Sequence, residues 1–376
     1  MTMREKKRRT NESIELPYDI IVEEILWRLP VKSLLRFRSV NKSWKTLISS
    51  PEFAKLHLKR SNDRKDRIND HRLMLMGRLL YSIDYKASND DDMVTVVDYP
   101  VSNRVINTGC RLEILGSCNG LLCVSPRQDV ILLWNPSTRK SKVLPGSPIK
   151  YPLNYGNLIS HSYCLGYASS TDDYQLVRII RFKGERLKVV GEVYSLRTDS
   201  WNQIQDFPYD INSINLCGVY VNGAFHWMAG FQNGSDCSLM IVSLDLVEEK
   251  YGLVQLPEHY KFCSNIGTLG ECLCIYYFSF ATSRYDIWVM KEYQVSQSWT
   301  KFTISILSIS IGNFYNIGVI RLCLLKNGEV FLVRFGMHEV VLYNLKDQPF
   351  RKHLNSSDSE MYHVVAYVES LVSPVF

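Results

Sequence analysis

The stretch GVYVNGAFHWMAGFQNGSDCSLMIVSLDLVEEKYGLVQLP, residues 218–257, contains one complete unit of β structure. The apolar segment GVYV is followed by Asn222–Gly223, a dipeptide that is typical of two-residue hairpin turns. Three more strand-like runs follow: AFHWM, SLMIVSLDL and YGLVQLP. A variable gap separates the first two, and a polar turn at Val247–Lys250 separates the last two. The pattern predicts four consecutive antiparallel strands.

The same order of strands and turns recurs along the chain. Copies lie at Arg111–Pro145 and Val319–His353, and looser copies lie at Tyr163–Asp206 and Ile266–Ile304. The third strand of each unit is marked by one of these residues: Trp134, Tyr194, Ser243, Trp288 and Tyr343. Their separations of 60, 49, 45 and 55 residues give a drifting period near 50, which is typical of propeller blades with four strands each.

The two ends of this β region supply a further unit. We expect Arg72–Pro100 to combine with a terminal strand at Met361–Val372, which would close the ring and remove its open edges. Kelch blades carry a Gly-Gly doublet, and this sequence contains none. We therefore predict an all-β, kelch-like propeller over residues 72–376, with six blades.

The chain before residue 60 has helical spacing instead. Ile21, Ile25, Leu26 and Leu29 would share one face of a first helix, with Pro17 in its first turn and Pro30 at its end. Two further helical pieces are expected at Val31–Val40 and Lys42–Ile48, and Pro51 would end the last one. The prediction is a small all-α module at residues 14–60. A basic disordered tail (1–13) would precede it, and a charged segment (61–71), a linker or the solvated end of a helix, would follow it.

The charge of the chain is concentrated at its N-terminal end. Residues 1–67 contain 17 Lys/Arg against 9 Asp/Glu, a net of +8, whereas the other 309 residues contain 27 against 29, a net of −2. A surface that follows nucleic-acid phosphates needs clustered basic groups, so we expect no nucleic-acid partner. The run Arg4–Arg9 (REKKRR) has two interpretations, a nuclear import signal or a solvated tail.

Apolar runs and cysteines indicate an intracellular protein. The longest apolar run, Cys272–Ala281, is far shorter than the ~20 residues that span a bilayer, and no apolar segment follows the basic N-terminus. We expect no membrane partner and a cytoplasmic or nuclear location. Most of the ten cysteines lie in apolar runs without C-x-x-C pairs, so they are interpreted as small buried residues.

Catalytic motifs are mostly absent. The sequence has no H-E-x-x-H, Walker or G-x-G-x-x-G pattern, and it predicts neither a metal site nor a cofactor. Gly116–Gly120 reads G-x-C-x-G, but Asn119–Gly120 leads into another strand, so Cys118 is expected in a hairpin and not at a nucleophile elbow. His226 and the repeated tryptophans are interpreted as structural residues. A propeller hydrolase or lectin would need clustered carboxylates or histidines, which the spacing does not indicate.

Two resemblances cover almost the whole chain. Residues 16–53 resemble an F-box, through Leu16, Pro17, Asp19 and Ile20, the run Leu29–Val40 (LPVKSLLRFRSV), and Trp44. The rest resembles the F-box-associated, kelch-like domain of plant F-box families, such as the S-locus F-box-like and F-box-kelch proteins. The matching segments are SCNGLLC (117–123), WNPSTR (134–139), VNGAFHW (221–227), IWVMKEY (287–293), SWTK (298–301) and YVESL (367–371).

The resemblance implies a non-catalytic substrate-recognition subunit of a Skp–cullin–F-box ubiquitin ligase. It implies partners of two kinds: a Skp-type adaptor, which would bring a cullin, and a target protein. The expected adaptor-binding residues are Leu16, Pro17, Ile20, Leu29, Pro30, Val31 and Leu34, and the expected packing residues are Ile25, Val40 and Trp44. Leu29, Pro30 and Leu34 are read as apolar groups without an internal partner. The alternative function is an interaction scaffold that binds the adaptor without ligase activity.

Strand direction predicts which face of the propeller binds the target. The turns between first and second and between third and fourth strands are short, whereas the loops of the opposite face are long and irregular. Aromatic residues on irregular loops are what interfaces favour. The expected target-binding residues are Tyr151, Tyr155, Tyr209, Phe231, Tyr260 and Phe314. The competing interpretation is that these loops are long only because they tolerate change.

Overall fold

The computed structural model describes most of the chain in two compact units, Met1–Arg64 and Lys65–Phe376. The described residues are 21–63, 71–76, 80–84, 94–98, 100, 113–127, 130–147, 149, 158–183, 187–205, 211–214, 217–233, 236–248, 250–257, 265–279, 281–305, 320–324, 329–334, 339–344, 350–352 and 363–375. Each unit is described by itself below, and the basic tail lies outside the described residues.

The first unit is helical. A π-helical turn at Ile21–Ile25 and a 3₁₀ turn at Leu26–Arg28 lead into three α-helices. These are α1 (Val31–Phe37), α2 (Lys42–Ser49) and α3 (Pro51–Asp63). The small all-α module with three α-helices is confirmed. The prediction of a regular first helix up to Pro30 was wrong, because the described part of that segment changes from π-helical to 3₁₀ geometry.

The prediction that the helix Lys42–Ile48 ends at Pro51 is confirmed, since α2 ends at Ser49, but the sequence analysis did not predict α3, which begins at Pro51. Asn41 caps α2 by accepting a hydrogen bond on its side chain from the backbone N–H of Trp44, at 2.7 Å. Ser50 caps α3 in the same way, accepting from the N–H of Phe53 at 3.2 Å. Proline is well suited to the first position of a helix, where its missing N–H would have no partner. α3 continues to Asp63, so the charged segment begins as the end of a helix.

The second unit is a β-propeller of antiparallel sheets. Five sheets are each built from strands that follow one another in the sequence. Sheet I contains β4 (Glu113–Cys118), β5 (Leu121–Arg127), β6 (Val130–Asn135) and β7 (Lys140–Val143). Sheet II contains β8 (Leu158–Ala168), β9 (Asp173–Lys183), β10 (Leu187–Ser195) and β11 (Ser200–Gln203).

The remaining consecutive sheets follow the same plan. Sheet III contains β12 (Ile211–Ile214), β13 (Val219–Val221), β14 (Ala224–Asn233), β15 (Asp236–Asp245) and β16 (Lys250–Val254). Sheet IV contains β17 (Asn265–Leu269), β18 (Cys272–Ser279), β19 (Arg284–Met290) and β20 (Trp299–Ser305). Sheet V contains β21 (Ile320–Leu324), β22 (Glu329–Arg334), β23 (Glu339–Asn344) and β24 (Phe350–Lys352).

A further sheet joins the two ends of the β region, and we call it the closing sheet. Its order is β25–β1–β2–β3, with β1 (His71–Met76), β2 (Leu80–Ile83), β3 (Val94–Val97) and β25 (His363–Val368). β25 pairs with β1 in antiparallel register from His71 opposite Val368 to Met76 opposite His363. The predicted pairing of the terminal strand with the first strands is confirmed.

Neighbouring sheets contact each other in a cycle. β4 contacts β8, β8 contacts β13, β13 contacts β17, β17 contacts β21, β21 contacts β25, and β25 contacts β4. Hydrophobic clusters fill the spaces between sheet faces, such as Met74 and Leu80 of the closing sheet against Leu122 and Trp134 of sheet I. Because a sheet is covered on both faces, strands such as β1 are buried along their whole length and lack an alternating pattern.

Local turn chemistry explains where the strands end. Asn119 and Gly120 both have positive φ, of 51° and 87°, as a type I′ hairpin turn requires, and Asn222–Gly223 does the same in sheet III. These two predicted hairpins are confirmed, whereas Asn327–Gly328 lies outside the described residues. After the third strand, Asn135, Ser195 and Asp245 each accept backbone N–H bonds on the side chain and so stabilise the turn.

Candidate functional site

The interior of the helical unit is built from side chains of every helical segment. The buried apolar residues are Val22, Leu26, Val31, Leu34, Ile48, Phe53 and Ala54. Val31 and Leu34 are fully buried, because positions three residues apart share one face of a helix and this face of α1 points inward. The rings of Phe37 on α1 and Trp44 on α2 meet with their centroids 5.5 Å apart.

α3 holds the segment that precedes α1. The buried imidazole of His57 places its Nε2 2.9 Å from the carbonyl oxygen of Leu29. The guanidinium of Arg60 lies 5.3 Å from the centroid of the Trp27 ring. These contacts hold the Leu29–Pro30 turn, which leaves Pro30 exposed and Leu29 half-buried at the surface.

Among the described residues of this unit, three large apolar side chains remain exposed. The exposed fractions are 39% for Ile25, 61% for Val40 and 46% for Leu56. With Pro30, we call these residues the exposed apolar set. Cationic residues that are themselves exposed, Arg36, Lys42 and Lys45, occur in the same unit. Exposed apolar side chains that form one contiguous patch mark a surface that binds a partner, which makes these residues the candidates for such a surface in the helical unit.

The structure reverses two groups of predicted roles. Val31 and Leu34 were expected to face the adaptor, but they form the interior of the unit, and Leu34 has internal partners. Ile25 and Val40 were expected to pack, but both are exposed. The physical reason is local: Ile25 lies where π-helical geometry gives way to a 3₁₀ turn, and Val40 lies beyond the end of α1. Leu16, Pro17 and Ile20 lie outside the described residues.

The sequence analysis missed Leu56 and His57 because it predicted no further helix after Pro51. The signal was present as Ser50-Pro51-Glu52, an N-cap residue, a proline at the first helical position and an acid in the first turn. A helix that starts there places Leu56 and His57 in its second turn.

The predicted target-binding residues have different outcomes. Tyr151, Tyr155, Tyr209, Tyr260 and Phe314 lie outside the described residues. The expectation that Phe231 is exposed on a loop was wrong. Phe231 lies within β14, pairs with Ser238 of β15, and packs partly buried against the cluster between sheets II and III. The side chain reaches this cluster because β14 extends beyond the predicted strand end.

The motif residues of the propeller have structural contacts. Trp134 and Trp227 are buried, and the indole Nε1 of Trp201 donates to the carbonyl of Pro145 at 2.8 Å. Trp299 makes the corresponding bond to the carbonyl of Gln255 at 2.9 Å. These contacts repeat between the last strand of one sheet and the segment after the last strand of the sheet before it.

His226 joins two motifs. Its Nε2 lies 2.7 Å from the hydroxyl oxygen of Tyr293, so VNGAFHW contacts IWVMKEY across neighbouring sheets. Burial lowers the pKa of His226 to about 4, which keeps the imidazole neutral. The expected structural role of His226 agrees with this geometry.

Three buried cysteines of the propeller are not activated nucleophiles. Burial raises the pKa of the Cys123, Cys164 and Cys274 thiols, which keeps them protonated. Cys118 ends β4 directly before the Asn119–Gly120 turn, which is the expected hairpin. Within the described residues, no group of His, Cys, Asp or Glu side chains is arranged to hold a metal ion. In the same part of the chain, no helix is long and apolar enough to cross a membrane.

Comparison with known families matches both units. Residues 14–56 match the F-box domain, and residues 71–374 match the F-box associated beta propeller domain. The chain is 33% identical over 313 residues to "F-box protein CPR1" of Arabidopsis thaliana, covering 77% of this chain and 73% of the relative. It is 29% identical over 375 residues to "F-box/kelch-repeat protein At3g23880" of the same plant, covering 96% of each.

Solved structures show a similar fold at low sequence identity. TolB from Acinetobacter baumannii is 12% identical, with a TM-score of 0.50, and the alignment covers 79% of this chain and 66% of the TolB chain. This similarity concerns the fold alone.

Proposed function

This chain belongs to the family of F-box proteins with an F-box associated beta propeller domain, and we propose that it is a substrate-recognition subunit of a Skp–cullin–F-box ubiquitin ligase. The helical unit binds a Skp-type adaptor and through it a cullin. The propeller binds the protein to be ubiquitinated. The chain itself catalyses nothing: it raises the effective concentration of the target near the ubiquitin-loaded enzyme.

The exposed apolar set carries this proposal. Apolar area is exposed at Ile25, Pro30, Val40 and Leu56. A partner that covers this area gains hydrophobic free energy of about 25 cal/mol for each Å² that is buried. We therefore revise the adaptor-binding residues. Leu16, Pro17, Ile20, Leu29 and Pro30 stay in the proposal, and Ile25, Val40 and Leu56 join it. Val31 and Leu34 support the surface from inside.

We further propose that the target binds the propeller face that carries the long loops. Tyr151, Tyr155, Tyr209, Tyr260 and Phe314 are its aromatic residues by sequence position. Phe231 is withdrawn because it lies within β14 and packs partly buried against the cluster between sheets II and III. Replacing the four tyrosines with Ala is expected to weaken target capture and leave adaptor binding unchanged. Equal changes in the tight turns of the other face should do little, and the reverse pattern would place the target there.

The number of blades is part of the same proposal. The cycle of contacts between sheets supports a ring in which the closing sheet is a sixth blade.

We propose that the protein acts in the cytoplasm, the nucleus or both. Changing Lys6–Arg9 to Ser should move a fluorescent fusion toward the cytoplasm if the tail directs nuclear import, and an unaltered distribution would favour a solvated tail.

Affinity purification followed by a ubiquitination assay tests the ligase role. The full chain is expected to co-purify a Skp-type adaptor and a cullin, and an F-box-deleted form is expected to lose both. Proximity labelling with the same two forms identifies targets. An adaptor without a cullin, together with unmodified targets, would make the protein a non-degradative scaffold.

A further inference from the structure

The C-terminal segment continues past β25 and contacts two sheets. β25 pairs with β1, and residues 369–372, which follow it, are buried. Three of the motifs that carry the family resemblance meet here: SCNGLLC, WNPSTR and YVESL. Their side chains make specific contacts beyond the strand pairing.

Asn135 makes the largest number of these contacts. Its fully buried Nδ2 donates to the carbonyl oxygens of Ser370 at 3.0 Å and Val372 at 2.7 Å. Its Oδ1 accepts from Ser137 N at 2.8 Å, which stabilises the turn after β6. Asp245 stabilises the corresponding turn of sheet III through the same kind of bond, at 2.8 Å. A carboxylate has no N–H, so the amide at position 135 supplies donors that turn formation does not require.

The Asn119–Gly120 turn fits around Ser370. The Ser370 hydroxyl donates to the carbonyl oxygen of Asn119 at 2.8 Å. Gly120 has a φ of +87°, and a Cβ there would lie 2.2 Å from Ser370 Oγ and 2.7 Å from the carbonyl oxygen of Val368. The close approach therefore requires glycine in addition to the turn geometry.

Glu369, the residue before Ser370, is held by an ion pair. The guanidinium of Arg72 on β1 contacts the carboxylate of Glu369, and both side chains are buried. Arg72 also contacts Asp84 at 2.9 Å. A buried charge pair of this kind is costly to break, because the remaining charge loses its partner.

We propose that Arg72, Asn119, Gly120 and Asn135 form a binding slot for a peptide segment with the order acid–serine–apolar–apolar. We call it the C-terminal slot. Its occupant is the segment Glu369-Ser370-Leu371-Val372 of the same chain. The slot selects this segment by its side chains, so closure of the ring depends on sequence recognition as well as on the β1–β25 hydrogen bonds.

The direct test cuts the chain after it has folded. A specific protease site placed between β24 and β25 of the full chain is cleaved, and exchange of the released segment with a fluorescent peptide of residues 363–375 is measured. The wild-type segment should stay bound through size-exclusion chromatography and exchange slowly. Peptides with Glu369→Gln or Ser370→Ala should compete about tenfold less well, since each loses a buried polar contact.

A matched pair of variants separates the slot from turn stability. Asn135→Ser keeps a side-chain acceptor for the turn, as Ser195 provides in sheet II, but removes the amide Nδ2 that donates to Ser370 and Val372. Asp245→Ser makes the corresponding change in sheet III. We expect Asn135→Ser to accelerate exchange of the segment about tenfold, and Asp245→Ser to leave it within about twofold.

Three results would overturn the slot: equal exchange in the two variants, equal competition by all peptides, or immediate loss of the wild-type segment on cutting. A cut segment that is held by a second copy of the chain, with the same ranking of variants, would support the slot.

Where the cleavable chain does not fold, hydrogen exchange of the β25 amides in uncut Asn135→Ser and Asp245→Ser proteins gives the same comparison. Faster exchange only in Asn135→Ser supports the slot, and equal exchange overturns it.

Discussion

The helical unit and the propeller use their apolar residues in opposite ways. The helical unit leaves Ile25, Val40 and Leu56 exposed within a short described segment. The propeller places its motif tryptophans between sheets, and its large exposed aliphatic residues are scattered over outer strands, turns and the C-terminal end, as at Val96, Val247 and Leu253. The comparison teaches that the motifs which identify the propeller maintain its fold, whereas the helical unit leaves large apolar side chains at its surface.

Removal of the closing strand should have the largest effect. Deleting residues 363–376 exposes the edge of β1 and leaves Arg72 and Asn135 without their C-terminal partners. We expect the propeller to become insoluble or protease-sensitive as a whole. Deleting residues 1–13 is the control and should leave the melting temperature unchanged. A truncated propeller that melts like the intact protein would mean that the ring does not depend on this strand.

The next largest effect should be the difference in stability between a core substitution in the propeller and a surface substitution in the helical unit. Trp134→Ala removes a buried side chain between the closing sheet and sheet I, and we expect it to lower the unfolding free energy by about 3–5 kcal/mol. Val40→Ala should change stability by less than about 0.5 kcal/mol, because the side chain is mainly in solvent. Chemical denaturation of both variants measures this, and similar losses would show that Val40 is a packing residue.

Protonation of His226 should have a smaller effect, which appears in the pH dependence of stability. Its pKa is lowered to about 4 in the folded chain, while the unfolded residue titrates near 6.5. Between these values the unfolded state binds more protons, so stability falls as the pH drops from 6.5 to 4 and is unaffected above. The contribution between pH 7 and pH 5 is about 2 kcal/mol.

His226→Gln removes the titrating group and keeps a polar side chain next to Tyr293. Denaturation of the wild-type and variant proteins at pH 7 and pH 5 gives the two slopes. A smaller loss on acidification is expected for the variant, and parallel pH dependence in both proteins would contradict a buried neutral imidazole.

Features of the propeller that depend on neighbouring residues could be predicted from the sequence, whereas contacts between residues far apart in the chain mostly could not. The Asn-Gly hairpins and the repeated strands depend on neighbouring residues, so Asn119–Gly120 and the strands around it could be identified directly. The terminal strand was found because one unit lacked a partner. The second role of Asn135 could not be found, since its partner Ser370 lies 235 residues away and a turn-capping asparagine looks the same in sequence.

The helical unit shows why the candidate site was harder to predict. Assignment of faces assumed an uninterrupted helix through Ile25, and the change to 3₁₀ geometry turned that residue outward. The start of α3 at Pro51 was encoded locally by Ser50, but proline was read as a stop. The role of the tyrosines in the long loops remains a prediction, because those residues lie outside the described part of the chain.

Binding of a purified Skp-type adaptor to the full chain tests the central claim most directly. Calorimetric titration would compare the wild-type protein, an Ile25→Asp/Val40→Asp variant and a Val247→Asp/Leu253→Asp control on the propeller. We expect the first variant to bind at least about 100-fold more weakly at an unchanged melting temperature, because burying unpaired charges is costly. The control should bind within about twofold of wild type. Wild-type affinity in the Ile25→Asp/Val40→Asp variant would contradict the assignment of the exposed apolar set as the adaptor surface.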